Sequence, residues 1–331
     1  MIHFRFVSET DISKRLSPRE GETKLGETLH YVSSLEAIIT SDAKYVVFGI
    51  EEDIGVRANH GKKGAAKAWD AFLNAFIQVQ ANVHNQSKVL VLGHIKVVPH
   101  TTINVDTPKS ELGDMVARID KMVAQVVKTI VSAGKIPIVI GGGHNNAYGN
   151  LKGASLALGK AVNAINIDAH TDLRTADYRH SGNGFRYAME ASEGSFLNKY
   201  SIFGLHKNYT PSYIFDWMDA RKPKITYRFF EEMATVKQTL DSFQSMIKSI
   251  NDGPFGLELD CDAIINFPSS AQSPSGFELN TTRSLVQLAG REKQCCYFHI
   301  CEAAPSKKNA GQVGKALSYF ITDFMRAHDT Y

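Results

Sequence analysis

The sequence predicts an α/β fold, a mostly parallel sheet of about eight strands wrapped by helices. Three observations point there. Short apolar, β-branched runs recur along the chain, stretches with helical periodicity lie between most of them, and the chemistry-bearing residues cluster just after several runs. The runs fall at 45–50, 89–93, 136–140, 164–167, 201–204, 225–227, 255–259 and 296–300. Helical periodicity occupies 64–83, 111–133, 212–220, 231–250 and 280–289, and a closing helix at 311–328 places Val313, Leu317, Phe320, Ile321 and Phe324 on one face. Strand–helix alternation of this kind builds parallel strands through right-handed crossovers.

A 331-residue chain with 43% hydrophobic residues can bury a large core, and one domain spanning 1–331 is expected, with a less regular segment at 1–40 packed across the sheet. No stretch approaches the roughly 20 apolar residues of a membrane span. The first residues, Met1 to Arg5, lack the apolar segment of an export signal, so a cytoplasmic protein is expected. Cys261, Cys295, Cys296 and Cys301 lie in or beside strands, without metal-knuckle spacing or a disulfide framework. A net charge of +3, with no basic run interleaved with aromatics, gives no support to nucleic acid binding.

The functional signal is concentrated in three places. Asp168-Ala169-His170-Thr171-Asp172 follows the run ending at Ile167, Asp260-Cys261-Asp262 follows the run ending at Leu259, and Gly141-Gly142-Gly143-His144 follows the run ending at Ile140. Alternation along an extended chain turns Asp168 and His170 to one side, and likewise Asp260 and Asp262. A single aspartate after a strand is more often a helix cap, and a single histidine more often a satisfied core group. Six such residues converging at strand ends would be a costly cluster of like charge unless cations or protons neutralised it. Carboxylates with imidazoles suit Mn²⁺, Fe²⁺, Zn²⁺ or Ni²⁺, and a carboxylate can bridge two ions. In open parallel sheets the binding crevice lies at the carboxyl ends of the strands, where all of these residues fall.

On these motifs the chain resembles the ureohydrolase superfamily, the arginase, agmatinase and formimidoylglutamase group. Further matches are Ser181-Gly182-Asn183 and Glu302 within His299-Ile300-Cys301-Glu302. The resemblance implies a three-layer α/β/α sandwich with an eight-stranded, mostly parallel sheet. It also implies two Mn²⁺ ions bridged by Asp168 and Asp260. One shell would be completed by His144 and Asp172, the other by His170 and Asp262. Glu302 would pair with the guanidinium or amidinium of a small-molecule substrate, with Ser181 and Asn183 nearby, and the resemblance implies a homo-oligomer.

The chain also departs from the arginase pattern. Phe185 stands where arginases place a proton-shuttling histidine and Ser181 where agmatinases do, which makes the adjacent His180 the candidate shuttle and Asp172 the alternative acid. Gly143 replaces the Asp that precedes the histidine in arginases, as in formimidoylglutamases. Arg174 takes the place of an asparagine that contacts an amino-acid carboxylate, and its charged fork suits a more anionic substrate, with Arg186 as a second contact. The expected substrate is therefore N-formimidoyl-L-glutamate, the alternatives being agmatine, arginine or a guanidino acid. A non-catalytic relative is disfavoured because no ligand position is lost.

Overall fold

The structure is a computed structural model that describes residues 1–98, 103–104 and 106–330. The strands are β1 Ile2–Phe6, β2 Tyr45–Glu51, β3 Val89–Val97, β4 Ile136–Ile140, β5 Val162–Ile167, β6 Leu197–Leu205, β7 Ile225–Phe229, β8 Phe255–Asp260 and β9 Cys295–Cys301. The helices are α1 Glu9–Ser13, α2 Ile54–Ala58, α3 Ala68–Phe76, α4 Lys109–Ser132, α5 Asn146–Leu158, α6 Gly184–Met189, α7 Ser212–Asp219, α8 Val236–Ile250, α9 Leu279–Gly290 and α10 Ala310–Thr330. All the strands join one sheet in the order β1-β3-β2-β4-β9-β8-β5-β6-β7.

Eight of these strands are the eight apolar runs, and every pairing among them is parallel. The ninth is β1, antiparallel to β3 with Ile2 opposite Val97 and Phe6 opposite Gly93. It escapes an apolar-run reading because it alternates: Ile2, Phe4 and Phe6 are half-buried while His3 and Arg5 are exposed, the pattern of a one-sided edge strand. The segment 1–40 is thus partly regular.

Two apolar layers cover the sheet. On one face Trp69 and Phe72 from α3, Phe243 from α8, Leu285 from α9 and Phe320 from α10 pack together. On the other, Val116 and Val123 from α4, Leu151 from α5 and Met218 from α7 do the same. This is the three-layer α/β/α arrangement. Helix α5, the first part of the crossover from β4 to β5, gave no periodic apolar signal because glycines carry its packing. A Cβ at Gly149 would stand 2.7 Å from Val123 Cβ, and one at Gly153 would stand 2.6 Å from the Ala124 carbonyl of α4.

The crossover from β4 to β5 skips two positions, later filled by β9 and β8. The four central strands β4, β9, β8 and β5 therefore lie side by side with their carboxyl ends on one rim. Each delivers a candidate functional residue there.

Candidate metal centre

His144 is aimed by the turn after β4. Gly141 and Gly142 adopt φ of +85° and +71°, and a Cβ at Gly142 would lie 2.2 Å from Asn146 Nδ2, so only glycine fits. The turn is held from below by the buried Glu52, whose Oε1 accepts from Gly143 N–H at 2.9 Å and from Asn146 Nδ2 at 2.7 Å. Asp168 follows β5 directly, and its Oδ1 accepts from His170 N–H at 2.7 Å; Asp260 ends β8, and its Oδ1 accepts from Asp262 N–H at 2.7 Å. The two aspartates use the same local turn to present their second oxygens.

Those oxygens converge. His144 Nδ1 lies 2.9 Å from Asp172 Oδ2, 3.0 Å from Asp260 Oδ2 and 3.3 Å from Asp168 Oδ2. One ligand atom from each of these four residues lies within 4.8 Å of all the others. His170 Nδ1 stands on the other side of Asp168, 3.4 Å from Oδ1, and 3.9 Å from Asp262 Oδ2. Thus the structure brings all six ligand-type residues together, with Asp168 facing both histidines. Burial pushes the Asp172, Asp260 and Asp262 carboxyls up, and repulsion from Asp168 adds to this. Burial opposes a charge on His170, yet Asp168, Asp262 and Asp172 together hold its imidazole up at about 10. The cluster demands positive charge among its carboxylates, which divalent cations would supply.

Glu302 follows β9 and closes the floor. It is 2% exposed; Oε1 accepts from His144 N–H at 2.7 Å, while Oε2 has no hydrogen-bond partner among the described residues. Burial and the neighbouring Asp262 push its carboxyl up to about 8. Glu302, Asp172 and His60 have φ of +61°, +49° and +62°, three of the four non-glycine residues with positive φ among those described, and all three line the cleft. Strain of this sort persists where surrounding structure imposes it, commonly at working sites.

The cleft above the ligands has a volume of about 460 Å³. His170, Asp172, Asp260, Asp262, Glu302, Arg174 and Ser181 line it, as do His60, Lys62 and Tyr209, which the sequence did not single out. Tyr209 stacks on the His170 ring at 5.1 Å, and Asn59 Nδ2 donates to the Ser181 hydroxyl at 3.2 Å. Neither Arg174 nor Lys62 has an ion-pair partner within 4 Å among the described residues.

Besides His144 and Asp168, which lie beneath the cleft, three predicted site residues stand outside that lining. His180 is 4% exposed, its Nδ1 accepts from Gly182 N–H at 3.1 Å, and burial pushes it down to about 4. Asn183 spends its amide on the fold: Oδ1 accepts from Arg179 and from His180 N–H, and Nδ2 donates to the Thr175 and Tyr178 carbonyls. Arg186 pairs with Glu190 at 3.1 Å and lies over Trp217, so the second cation at the cleft is Lys62 and not Arg186.

A buried polar group behind the ligands also went unnoticed in the sequence. Glu258, two residues before Asp260, bonds Tyr297 and His299. Burial would raise its carboxyl, but the imidazole of His299 beside it holds it down at about 2. Its signal was available, a glutamate inside an otherwise apolar strand.

Comparison with known proteins places these features. The model of the arginase family matches residues 43–325. Formimidoylglutamase from Lysinibacillus sphaericus is 26% identical over 296 residues, covering 87% of this chain and 86% of that protein. The Corynebacterium efficiens formimidoylglutamase is 24% identical, with 86% and 84% covered. In fold, the chain is similar to Trypanosoma cruzi formiminoglutamase crystallised with Mn²⁺₂, at a TM-score of 0.76 and 20% identity over 93% of this chain and 99% of that one. It is likewise similar to Bacillus subtilis formimidoylglutamase, at 0.75 and 13% identity over 95% of each.

Proposed function

The chain belongs to the arginase family, and on that premise we propose that it hydrolyses N-formimidoyl-L-glutamate to L-glutamate and formamide at a binuclear manganese centre. The observation that carries the reading is the polarity of the cleft. Among the described residues, a carboxylate oxygen of Glu302 without a hydrogen-bond partner lies at its base, and two cations without an ion pair, Arg174 and Lys62, line its walls. A substrate with one cationic C=N group and two carboxylates matches that distribution. Agmatine, cationic at both ends and lacking a carboxylate, does not.

The donor set fits two hard divalent cations: His144, Asp168, Asp172 and Asp260 would hold one, and His170 and Asp262, with the same two strand-end aspartates Asp168 and Asp260, would hold the other. When bound, the cations supply Lewis acidity that brings a water's pKa close to neutrality. Glu302 Oε2 accepts from the formimidoyl N–H groups and orients their carbon, while Arg174 and Lys62 hold the carboxylates. The departing amine needs a proton from a group facing the cleft; Asp172 and His60 do so. The same reading carries a cytoplasmic location, on the four unpaired cysteines, and a homo-oligomeric assembly, on the family resemblance. No helix among the described residues is long and apolar enough to cross a membrane.

The test is a substrate panel. Manganese-loaded protein is given formimidoylglutamate, arginine, agmatine and guanidinobutyrate, with formamide and urea assayed separately. Formamide from the first substrate is the expected product; urea from a guanidino substrate, without formamide, would overturn the assignment.

A further inference from the structure

Behind the ligands, one pleat deeper in the sheet, lies a polar unit that the hydrolytic reaction does not itself require. Glu258 and Asp260 share a face of β8, and the register sets Glu258 opposite His299 and Gly256 opposite Tyr297 on β9. Glu258, Tyr297 and His299 are each fully buried. Glu258 Oε1 accepts from the Tyr297 hydroxyl at 2.8 Å, and Oε2 lies 2.6 Å from His299 Nδ1. His299 Nε2 in turn lies 3.3 Å from the carbonyl of Gly141, the first residue of the turn that carries His144. Both ring nitrogens of His299 thus face oxygens, which fixes the plane of the ring.

Space has been made for this unit. A Cβ on Gly256 would stand 2.0 Å from Tyr297 Cζ, so glycine at 256 lets the phenol lie across β8 and reach Glu258. A buried polar unit of this kind is seldom a gain in stability over apolar residues of the same volume, so its presence asks for another role.

That role is visible at His144. Its Nδ1 faces Asp168, Asp172 and Asp260, while its Nε2 points away from them to Glu258 Oε2 at 3.6 Å and has no hydrogen-bond partner among the described residues. We infer that Glu258, clamped by Tyr297 and His299, is a positioning residue for His144. It keeps the proton on Nε2, which leaves the Nδ1 lone pair directed at the metal position shared with Asp172. A carboxylate behind a ligating imidazole fixes its tautomer and ring orientation and raises its donor strength. His299 adds a second hold, tying Glu258 to the backbone of the glycine turn. The inference rests on the binuclear reading above.

The test is manganese binding, measured apart from turnover. In Glu258→Gln the side-chain shape is kept and the charge removed. The affinity for one of the two ions should fall by about 10- to 100-fold, with the other unchanged. In electron paramagnetic resonance, at a manganese concentration that gives the wild type a spin-coupled pair, this variant should show an isolated six-line ion. Should Glu258→Gln not fold, the triple variant Glu258→Leu, Tyr297→Phe, His299→Leu removes the three mutually bonded side chains together, and the same loss is expected of it. Two ions bound with wild-type affinity by a folded variant would overturn the inference alone. A wild-type protein that binds a single ion would overturn the binuclear reading and this inference with it.

Discussion

Glu302→Gln isolates the group proposed to hold the substrate's cation. Oε1 of Glu302 is committed to His144 N–H at 2.7 Å, and a glutamine oxygen accepts that bond equally well. Oε2, buried and partnerless, is replaced by an amide NH₂. The variant thus keeps the backbone of the metal turn in place and presents a donor where the cationic substrate also presents donors. A hydrogen bond to a charged partner contributes about 1.5–3 kcal/mol, and at a factor of ten for each 1.4 kcal/mol the expected loss in kcat/KM is about 10- to 150-fold. The opposed donors make that a lower bound. Thermal stability should hold, because burial and Asp262 push this carboxyl up to about 8, and glutamine matches the shape and charge of its protonated form. Steady-state formamide release gives the first number, calorimetry the second, and metal analysis should still find two manganese ions per chain. A kcat/KM within about threefold of wild type, both ions present, would refute the role given to Glu302, since that is under 1 kcal/mol.

Asp168→Asn or Asp260→Asn should lose manganese and nearly all turnover while circular dichroism stays native; a variant that keeps both ions contradicts the bridging assignment. Arg174→Ala should weaken transition-state binding of formimidoylglutamate by about 1.5–3 kcal/mol and leave any agmatine hydrolysis unchanged or improved. Equal losses on both substrates would mark Arg174 as structural. His180 titrates at about 4 in the folded protein against an ordinary 6.5, so the unfolded chain takes up the proton first as pH falls. Stability from this group is complete above about pH 6.5 and declines to about pH 4, by on the order of 3 kcal/mol. His94, His206 and His328 are lowered too, so the informative quantity is the difference between wild type and His180→Gln, whose slope should be shallower. The alkaline limb of its pH–rate profile should match wild type; loss of that limb would make His180 a proton donor after all.

The sheet was legible where strands carry apolar runs buried on both faces, as β2 and β4 do, and β7 showed only through the short run at 225–227. It was not legible at β1, which is solvated on one side, nor at α5, where glycine and asparagine replace the usual apolar stripe. The ligand-type residues stood out because each lies within a few positions of a strand's carboxyl end, and topology alone gathers such ends. Residues of the cleft wall are harder to see. His60 and Lys62 reach the site from a loop more than 80 residues before His144, and nothing in their local sequence separates them from solvated loop residues. His180, Asn183 and Arg186 show the converse, since proximity in sequence to a ligand does not set the direction of a side chain. The spacing placed His180 beside the site, and its hydrogen bond to Gly182 N–H turned the ring inward.

The most direct measurement is a manganese titration of metal-stripped protein with formamide release from formimidoylglutamate followed at each step. The account predicts activity that rises with the second equivalent and saturates at two ions per chain, in step with a spin-coupled manganese signal. Full activity at one ion per chain, or two bound ions without formamide from this substrate, would contradict it.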